Sequence, residues 1–126
     1  AANSRRRERA VLEDVTSVAV HTALSGLSMR QRAIADNVAN IQTPGFLSGR
    51  VSFEDALRAA VADGNPGAAK ATIARSLEPT REDGNNVNLD EETLSNTDTS
   101  LRYSLMLRAM DDKFALLSRV IKGTGA

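Results

Sequence analysis

The fold of this chain is decided by the stretch Asn37-Val38-Ala39-Asn40-Ile41-Gln42-Thr43-Pro44-Gly45-Phe46. Pro44 has no backbone N–H and cannot continue a helix, and its ring pushes Thr43 out of the α region. Gly45 can adopt a positive φ, which other residues reach only with strain. A helix must therefore end here, and the chain must change direction. The Pro-Gly pair alone indicates no more than an ordinary helix stop.

A long amphipathic helix is predicted to lead into this turn, from residue 13 to residue 41. Its apolar side chains recur at alternating spacings of three and four, with Gln31 as the polar member, at Val20, Leu24, Leu27, Ile34, Val38 and Ile41. This spacing places them on one helical face, which we expect to pack against another helix. Gly26 lies inside the helix, where it costs about 1 kcal/mol relative to alanine and either permits a close approach or is merely tolerated. Residues 1–12 are polar and arginine-rich, which predicts a flexible N-terminal arm.

The last third of the chain predicts a second long helix, from residue 89 to residue 122. Asn88 and Glu91 have the spacing of a capping box at its start. Its apolar face is spaced four and three residues apart at Tyr103, Leu107, Met110, Phe114, Leu117 and Ile121, with Leu94 and Leu101 extending it upstream. We expect this face to meet the face of the first helix or a helix of another molecule.

The segment between the two helices, residues 42–88, carries weaker signals. Ser52 is predicted to cap a short helix over residues 53–62, because acidic residues follow it in the first turn. The stretch from Ala71 to Leu77 is a candidate strand in an otherwise irregular loop. The whole pattern predicts one mainly α-helical domain over residues 1–126. Two long terminal helices pack in it as a coiled-coil-like hairpin, with the short helix and loop region between them.

The composition favours long helices packed side by side. Aromatic residues make up only 3% of the 126 residues, whereas a compact globular core usually has more large rings. The absence of cysteine excludes a disulfide framework and thiolate chemistry. The net charge is zero, which argues against non-specific nucleic-acid binding, although six acidic and no basic residues fall between positions 82 and 98. No apolar run is long enough for a membrane span or a secretory signal, so we expect any export to occur without a cleavable signal peptide.

Candidate catalytic and metal-binding residues are few. His21 is the only histidine, and neither a GxGxxG nor a Walker pattern is present. Alternating oxygen-bearing side chains resemble the start of a calcium loop at Asn86, Asn88, Asp90 and Glu92. The glycine that such a loop requires after its third ligand is missing, and a capped helix N-terminus explains the same residues. The sequence therefore predicts no enzyme activity, no cofactor and no metal.

Two strings in this chain resemble motifs of a known family. The turn has the Ala-Asn-x-x-Thr-Pro-Gly-aromatic signature of bacterial flagellar axial proteins. The second string precedes the last helix and reads Gly84-Asn85-Asn86-Val87-Asn88-Leu89-Asp90. Together with the short length, they are similar to flagellar basal-body rod proteins of the proximal-rod (FlgB) type. Phe46 stands where that family often has tyrosine.

The resemblance implies a structural subunit that assembles helically into the rod, which is both a drive shaft and an export channel. It implies a location in the flagellar basal body, periplasmic in a cell with two membranes. The implied partners are other rod subunits, further copies of the chain, basal-body adaptor and membrane-ring proteins, and the flagellar export apparatus. The residues implied in assembly are those of the turn, Asn37, Asn40, Thr43, Pro44, Gly45 and Phe46.

Two alternatives remain open at the level of the sequence. One is the neighbouring proximal-rod subunit of the same axial family, against which the second string argues. The other is a small helical secreted adaptor or chaperone, which explains the two apolar faces but not the Thr-Pro-Gly string.

Overall fold

The computed structural model describes residues 2–121, with side chains described as far as Asp112. In chain order, its elements are helix α1 (Ala2–Ala39), strand β1 (Gly49–Ser52), helix α2 (Glu54–Ala62), a 3₁₀ turn (Pro66–Ala68), strand β2 (Thr72–Arg75) and helix α3 (Leu89–Ile121). The mainly helical fold class, with two long terminal helices that pack together, is confirmed.

The two long helices run antiparallel. At one end, Asn37 of α1 bonds Glu92 of α3. Farther along, Leu27 of α1 lies in the core cluster against which Tyr103 of α3 packs. Lower residue numbers on α1 therefore contact higher residue numbers on α3. The helices form a hairpin with the middle segment at its closed end.

The boundaries of α1 differ from the predicted residues 13 and 41. The helix begins at Ala2, so the residues assigned to an arm are helical, as suits a segment rich in arginine and alanine. It ends at Ala39, because the backbone bonds beyond it tighten to three-residue turns, such as that from the N–H of Ile41 to the carbonyl of Val38 at 3.3 Å.

The middle segment contains a two-stranded antiparallel sheet, in which Val51 is paired with Ile73. Strand β2 lies within the predicted candidate region, but β1 was missed. Ser52 was predicted as a helix cap, which is wrong, because it is the last residue of β1. The residue before α2 is Phe53, which makes no side-chain capping bond. Its backbone N–H instead donates to the Glu54 carboxylate at 3.3 Å.

The apolar core lies where α1 meets this sheet and α2, and it is built on Ala23, Leu27, Val51 and Phe53. Gly26 explains how the Phe53 ring reaches α1. A Cβ on Gly26 would lie 2.5 Å from atoms of that ring, which is far inside contact distance. Of the two roles open to Gly26, the structure therefore supports the close approach.

The predicted helical faces are only partly buried. In α1, Leu27 and Ile34 are buried, Leu24 and Ile41 are half-buried, and Val38 is exposed. The buried residue beside Val38 is Asn37, because β1 crosses α1 here and its backbone needs a polar partner.

The face of α3 shows a similar shift. Tyr103 and Met110 are half-buried, whereas Leu107 is exposed. Leu94 and Leu101 do not extend the buried face, since both are exposed. At that level Glu92 and Thr99 are the buried residues. The side chains of Phe114, Leu117 and Ile121 lie outside the described residues.

Candidate functional site

The turn after α1 closes through short-range bonds. The N–H of Thr43 donates to the carbonyl of Asn40 at 3.0 Å, and the N–H of Phe46 donates to the carbonyl of Thr43 at 3.2 Å. The hydroxyl of Thr43 donates to the side-chain oxygen of Asn40 at 3.1 Å. Gly45 has a φ of 74°, in the left-handed region that favours glycine. Pro44 is exposed beside it.

This turn touches a second glycine turn from the other end of the middle segment. The N–H of Gly45 donates to the carbonyl of Asp83 at 2.8 Å. Gly84 has a φ of 81°, and a Cβ on it would lie 3.3 Å from the Cα of Gly45. The two strings that carry the family resemblance therefore meet backbone to backbone.

Asn85 joins the two turns and is fully buried. Its amide nitrogen donates to the carbonyls of Asn40 at 2.8 Å and Thr43 at 2.9 Å. Its amide oxygen accepts the N–H of Val87 at 2.8 Å. Each of these two carbonyls also accepts a backbone N–H within the turn, so Asn85 gives each a second hydrogen bond and ties the second string to the end of α1.

Arg81 reinforces the same junction. Its guanidinium donates to the carbonyl of Ile41 at 2.8 Å and to the carbonyl of Val87 at 2.6 Å. It also donates to the side-chain oxygen of Asn85 at 2.8 Å. A cation is favourable beyond the C-terminal end of a helix, where the backbone dipole is negative. Arg81 was missed by the sequence analysis, because no periodicity connects it to α1.

Asn86 holds the start of β1. Its side-chain oxygen accepts the N–H of Ser48 at 2.7 Å. Its side-chain nitrogen donates to the carbonyls of Ser76 at 3.0 Å and Glu78 at 3.2 Å. One side chain thus bridges the segments that enter β1 and leave β2.

Asn37 pairs with the backbone of β1 at Gly49. Its side-chain nitrogen donates to the carbonyl of Gly49 at 3.0 Å, and its side-chain oxygen accepts the N–H of Gly49 at 2.8 Å. The same nitrogen donates to the carboxylate of Glu92 at 3.2 Å. Asn37 therefore acts as a strand partner for β1 and as a link to α3.

Glu92 is a fully buried carboxylate at the centre of these contacts. Arg50 donates to one of its oxygens at 2.8 Å, and the hydroxyl of Ser48 donates to the same oxygen at 3.4 Å. The arginine compensates the buried charge, which would otherwise be very costly. We call the set the polar clasp, which consists of Asn37, Ser48, Arg50, Arg81, Asn85, Asn86 and Glu92.

A separate ion pair lies beside the clasp, on the core side of α1. Arg30 pairs with Glu54 and also donates to the carbonyl of Val51 at 2.7 Å. The hydrogen bond from Arg30 lowers the pKa of Glu54 from 4.5 to about 2, against the opposing effect of burial. The guanidinium of Arg30 lies 5.0 Å from the centre of the Phe53 ring, within the range of a cation–π contact.

The residues that resemble the start of a calcium loop form hydrogen bonds to other groups of the protein. Asn88 caps α3, since its side-chain oxygen accepts the N–H groups of Asp90 at 3.0 Å and Glu91 at 3.3 Å, and its predicted capping role is confirmed. Asn86 and Glu92 bond protein groups within the clasp. No cluster of three or more potential metal-binding side chains occurs within the part of the chain that the structure describes.

The structure brings Asn37, Asn40, Thr43, Gly45 and the second string together. Phe46 is half-buried at the rim, with the guanidinium of Arg75 lying 5.3 Å from its ring centre. His21 is exposed on α1. The side chains of the clasp are matched donors and acceptors that join segments distant in sequence. Across residues 2–121, no helix is long and apolar enough to cross a membrane.

A family of known proteins matches the part of the chain that contains this turn. The family model described as "Flagella basal body rod protein" matches residues 21–46, which include the end of α1 and the turn. The flagellar basal body rod protein FlgB of Borrelia hermsii is 32% identical, with 81% of this chain and 92% of that protein aligned. FlgB of Bacillus subtilis is 26% identical over 82% of this chain and 91% of its own length. FlgB of Aeromonas hydrophila is 29% identical over 80% of this chain and 88% of its own length.

Proposed function

Because the chain belongs to the FlgB family of flagellar basal-body rod proteins, we propose that the polar clasp fixes the junction of α1 and α3 so that both helices can dock on neighbouring subunits. As a member of this family, the chain is a structural subunit of the proximal rod. It lies in the flagellar basal body and assembles with other components of that body.

The observation that carries the docking proposal is the number of apolar side chains that both helices leave exposed. They are Val11, Leu12, Val18 and Val38 on α1, and Leu89, Leu94, Leu101, Leu105 and Leu107 on α3. Scattered exposed apolar residues are normal, but runs of them along two helices mark surfaces that associate with other proteins. The clasp supports this role because it sets the position of the helices through matched hydrogen bonds.

The partners that we propose are other rod subunits, further copies of this chain, basal-body adaptor and membrane-ring proteins, and the flagellar export apparatus. In a cell with two membranes the assembled subunit would lie in the periplasm. We also propose that the protein has no enzyme activity, which fits a clasp whose described side chains bond one another and the backbone.

A complementation experiment tests the docking role. Cells that lack the gene are expected to build basal bodies without a rod, and the wild-type gene should restore the rod and motility. Leu101→Asp places a charge on an exposed face, so it should abolish rod assembly while leaving the helicity of the purified chain unchanged. Ser100→Asp, at a position that is also exposed but on another side of α3, is the matched control. Normal rods with Leu101→Asp would contradict the proposal.

A further inference from the structure

We infer that the outward face of α3 receives the arginine-rich first turns of α1 from a second copy of this chain. The inference rests on the proposed function, because it names one of the contacts by which subunits would join. We call the outward face the leucine face, which consists of Leu94, Leu101 and Leu105.

The leucine face is continuous and unpartnered within the described part of the chain. Its members are spaced seven and four residues apart, so they lie on one side of the helix. Their exposed fractions are 72%, 59% and 51%. The opposite side of α3 carries Glu92 and Thr99, which are buried. The leucine face therefore points away from α1 and is free to contact another molecule.

Acidic groups flank the leucine face at its first residue. A groove of about 540 Å³ runs beside Leu94, and its charged lining residues are Arg50, Glu78, Glu91 and Asp98. Arg50 is already bound to Glu91 at 3.1 Å and to buried Glu92, and Asp98 is paired with Arg102 at 2.9 Å, so these four acids including Glu78 face two arginines. The groove therefore combines a large apolar side chain with an excess of negative charge, which suits a basic amphipathic partner.

The start of α1 has the complementary chemistry. Its first turns carry Arg5, Arg6, Arg7 and Arg9 against the single acid Glu8, and all are exposed. Val11 and Leu12 follow and are also exposed. Guanidinium groups bind carboxylates through paired hydrogen bonds, while the apolar residues would cover leucines.

The contact cannot form within one molecule. Helix α1 is continuous from Ala2 to Ala39, so Arg7 and Asn37 lie about 45 Å apart along it at 1.5 Å per residue. Asn37 bonds Glu92, which places Leu94 and the groove at the far end of α1. The arginines of one chain can therefore reach only the groove of another.

A contact between two different surfaces of the same chain repeats from copy to copy. Each subunit offers its arginines to one neighbour and its leucine face to another. Such a head-to-tail contact extends as an open helical array unless its rotation closes a ring. This geometry suits a subunit that is built into a rod.

The absence of cysteine allows a direct test in assembled basal bodies. A chain carrying both Val11→Cys and Leu94→Cys is treated with a short bis-maleimide after the basal bodies are isolated. We expect a ladder of products composed only of this chain. A chain carrying Val11→Cys and Ser100→Cys is the control and should give no ladder, because Ser100 lies off the leucine face. Absence of self-linked product from the first pair would overturn the inference.

Charge reversal provides a second arm. Changing Arg5, Arg6 and Arg7 to Glu in the Val11→Cys chain should abolish its cross-link to a Leu94→Cys chain. Changing Glu78 and Asp98 to Lys in the Leu94→Cys chain should have the same effect. Combining both reversed chains should restore the cross-link, because the charges again attract. Loss in both cases without recovery in the mixture would overturn the inference.

The outcomes separate the inference from the proposed function. A cross-link from Leu94→Cys to a different rod subunit, in place of this chain, overturns the inference and leaves the proposed docking role intact. Normal rods carrying Leu101→Asp contradict the docking role, and the inference falls with it.

Discussion

The side-chain amide of Asn37 donates to the carboxylate of Glu92 at 3.2 Å, and both side chains are fully buried. The two residues are 55 positions apart in sequence, one near the end of α1 and the other in the first turn of α3. Asn37 simultaneously pairs with the backbone of Gly49 in β1. This pair of side chains therefore links both long helices and the sheet.

Removing the carboxylate of Glu92 should destabilise the protein strongly. Glu92→Ala leaves Asn37 and Arg50 without their shared acceptor, so we expect a loss of about 2–4 kcal/mol in the free energy of unfolding. Urea unfolding followed by circular dichroism measures it. Glu91→Ala removes the half-exposed acid that pairs with the same arginine, and it should cost less than about 1 kcal/mol. Equal losses in the two variants would show that the buried pair has no special role.

Substitution of Gly45 tests the turn. Its φ of 74° strains any β-branched residue, while no described atom would lie within 4 Å of a Cβ at this position, so the cost comes from the backbone alone. Gly45→Val should lose about 1–3 kcal/mol and impair rod assembly and motility without reducing expression. Gly45→Asn should be tolerated better, because asparagine enters the left-handed region more readily. Swimming assays compare them, and normal motility with Gly45→Val would exclude a structural role for this turn.

Gly26→Ala should destabilise the core, although alanine is the better helix former. The new methyl group would lie 2.5 Å from the Phe53 ring, and the resulting overpacking costs about 1–3 kcal/mol, against a gain of about 1 kcal/mol in helix propensity. Thermal unfolding measures the net effect. Gly26→Ala should cost less stability in a Phe53→Leu variant than in the wild type, because the overpacking is against the Phe53 ring. Ser25→Ala, at an exposed neighbouring position, should change stability by less than about 0.5 kcal/mol.

Thr99→Val should stabilise the protein. The hydroxyl of Thr99 is buried and has no hydrogen-bond partner among the described residues. Valine has nearly the same shape and removes the unpaired polar group, so we expect a gain of about 1 kcal/mol in chemical denaturation. Thr97→Val is the control, because the exposed hydroxyl of Thr97 donates to the carbonyl of Thr93 at 3.1 Å. A loss of stability in Thr99→Val would indicate that the hydroxyl has a partner.

The ion pair of Glu54 and Arg30 predicts a loss of stability in acid. The folded-state pKa of Glu54 is about 2, below its ordinary value of 4.5, because Arg30 bonds its charged form. The contribution of the pair is therefore complete above pH 4.5 and is lost as the pH falls from 4.5 towards 2. Unfolding midpoints across this range should fall less steeply in Glu54→Gln than in the wild type. Identical slopes would contradict the assignment.

Local rules were enough for several features of this protein. The spacing of apolar residues predicted two long helices, because the helical period is a property of the chain itself. Pro44 and Gly45 predicted the turn, and Asn88 predicted the start of α3, through steric and capping effects that act within a few residues. The same strings also carried the resemblance to the rod family.

Only the tertiary structure decided which polar groups hold these elements together. Local rules favoured Val38 as a packing residue and Ser52 as a cap, whereas the structure buries Asn37 and places Ser52 in β1. Glu92 was visible only as an acid near a helix start. Its role depends on partners more than 40 positions away, whose hydrogen bonds exist only once the chain has folded. The spacing of apolar residues indicates which face of a helix is apolar, but it does not indicate which distant donor bonds which acceptor.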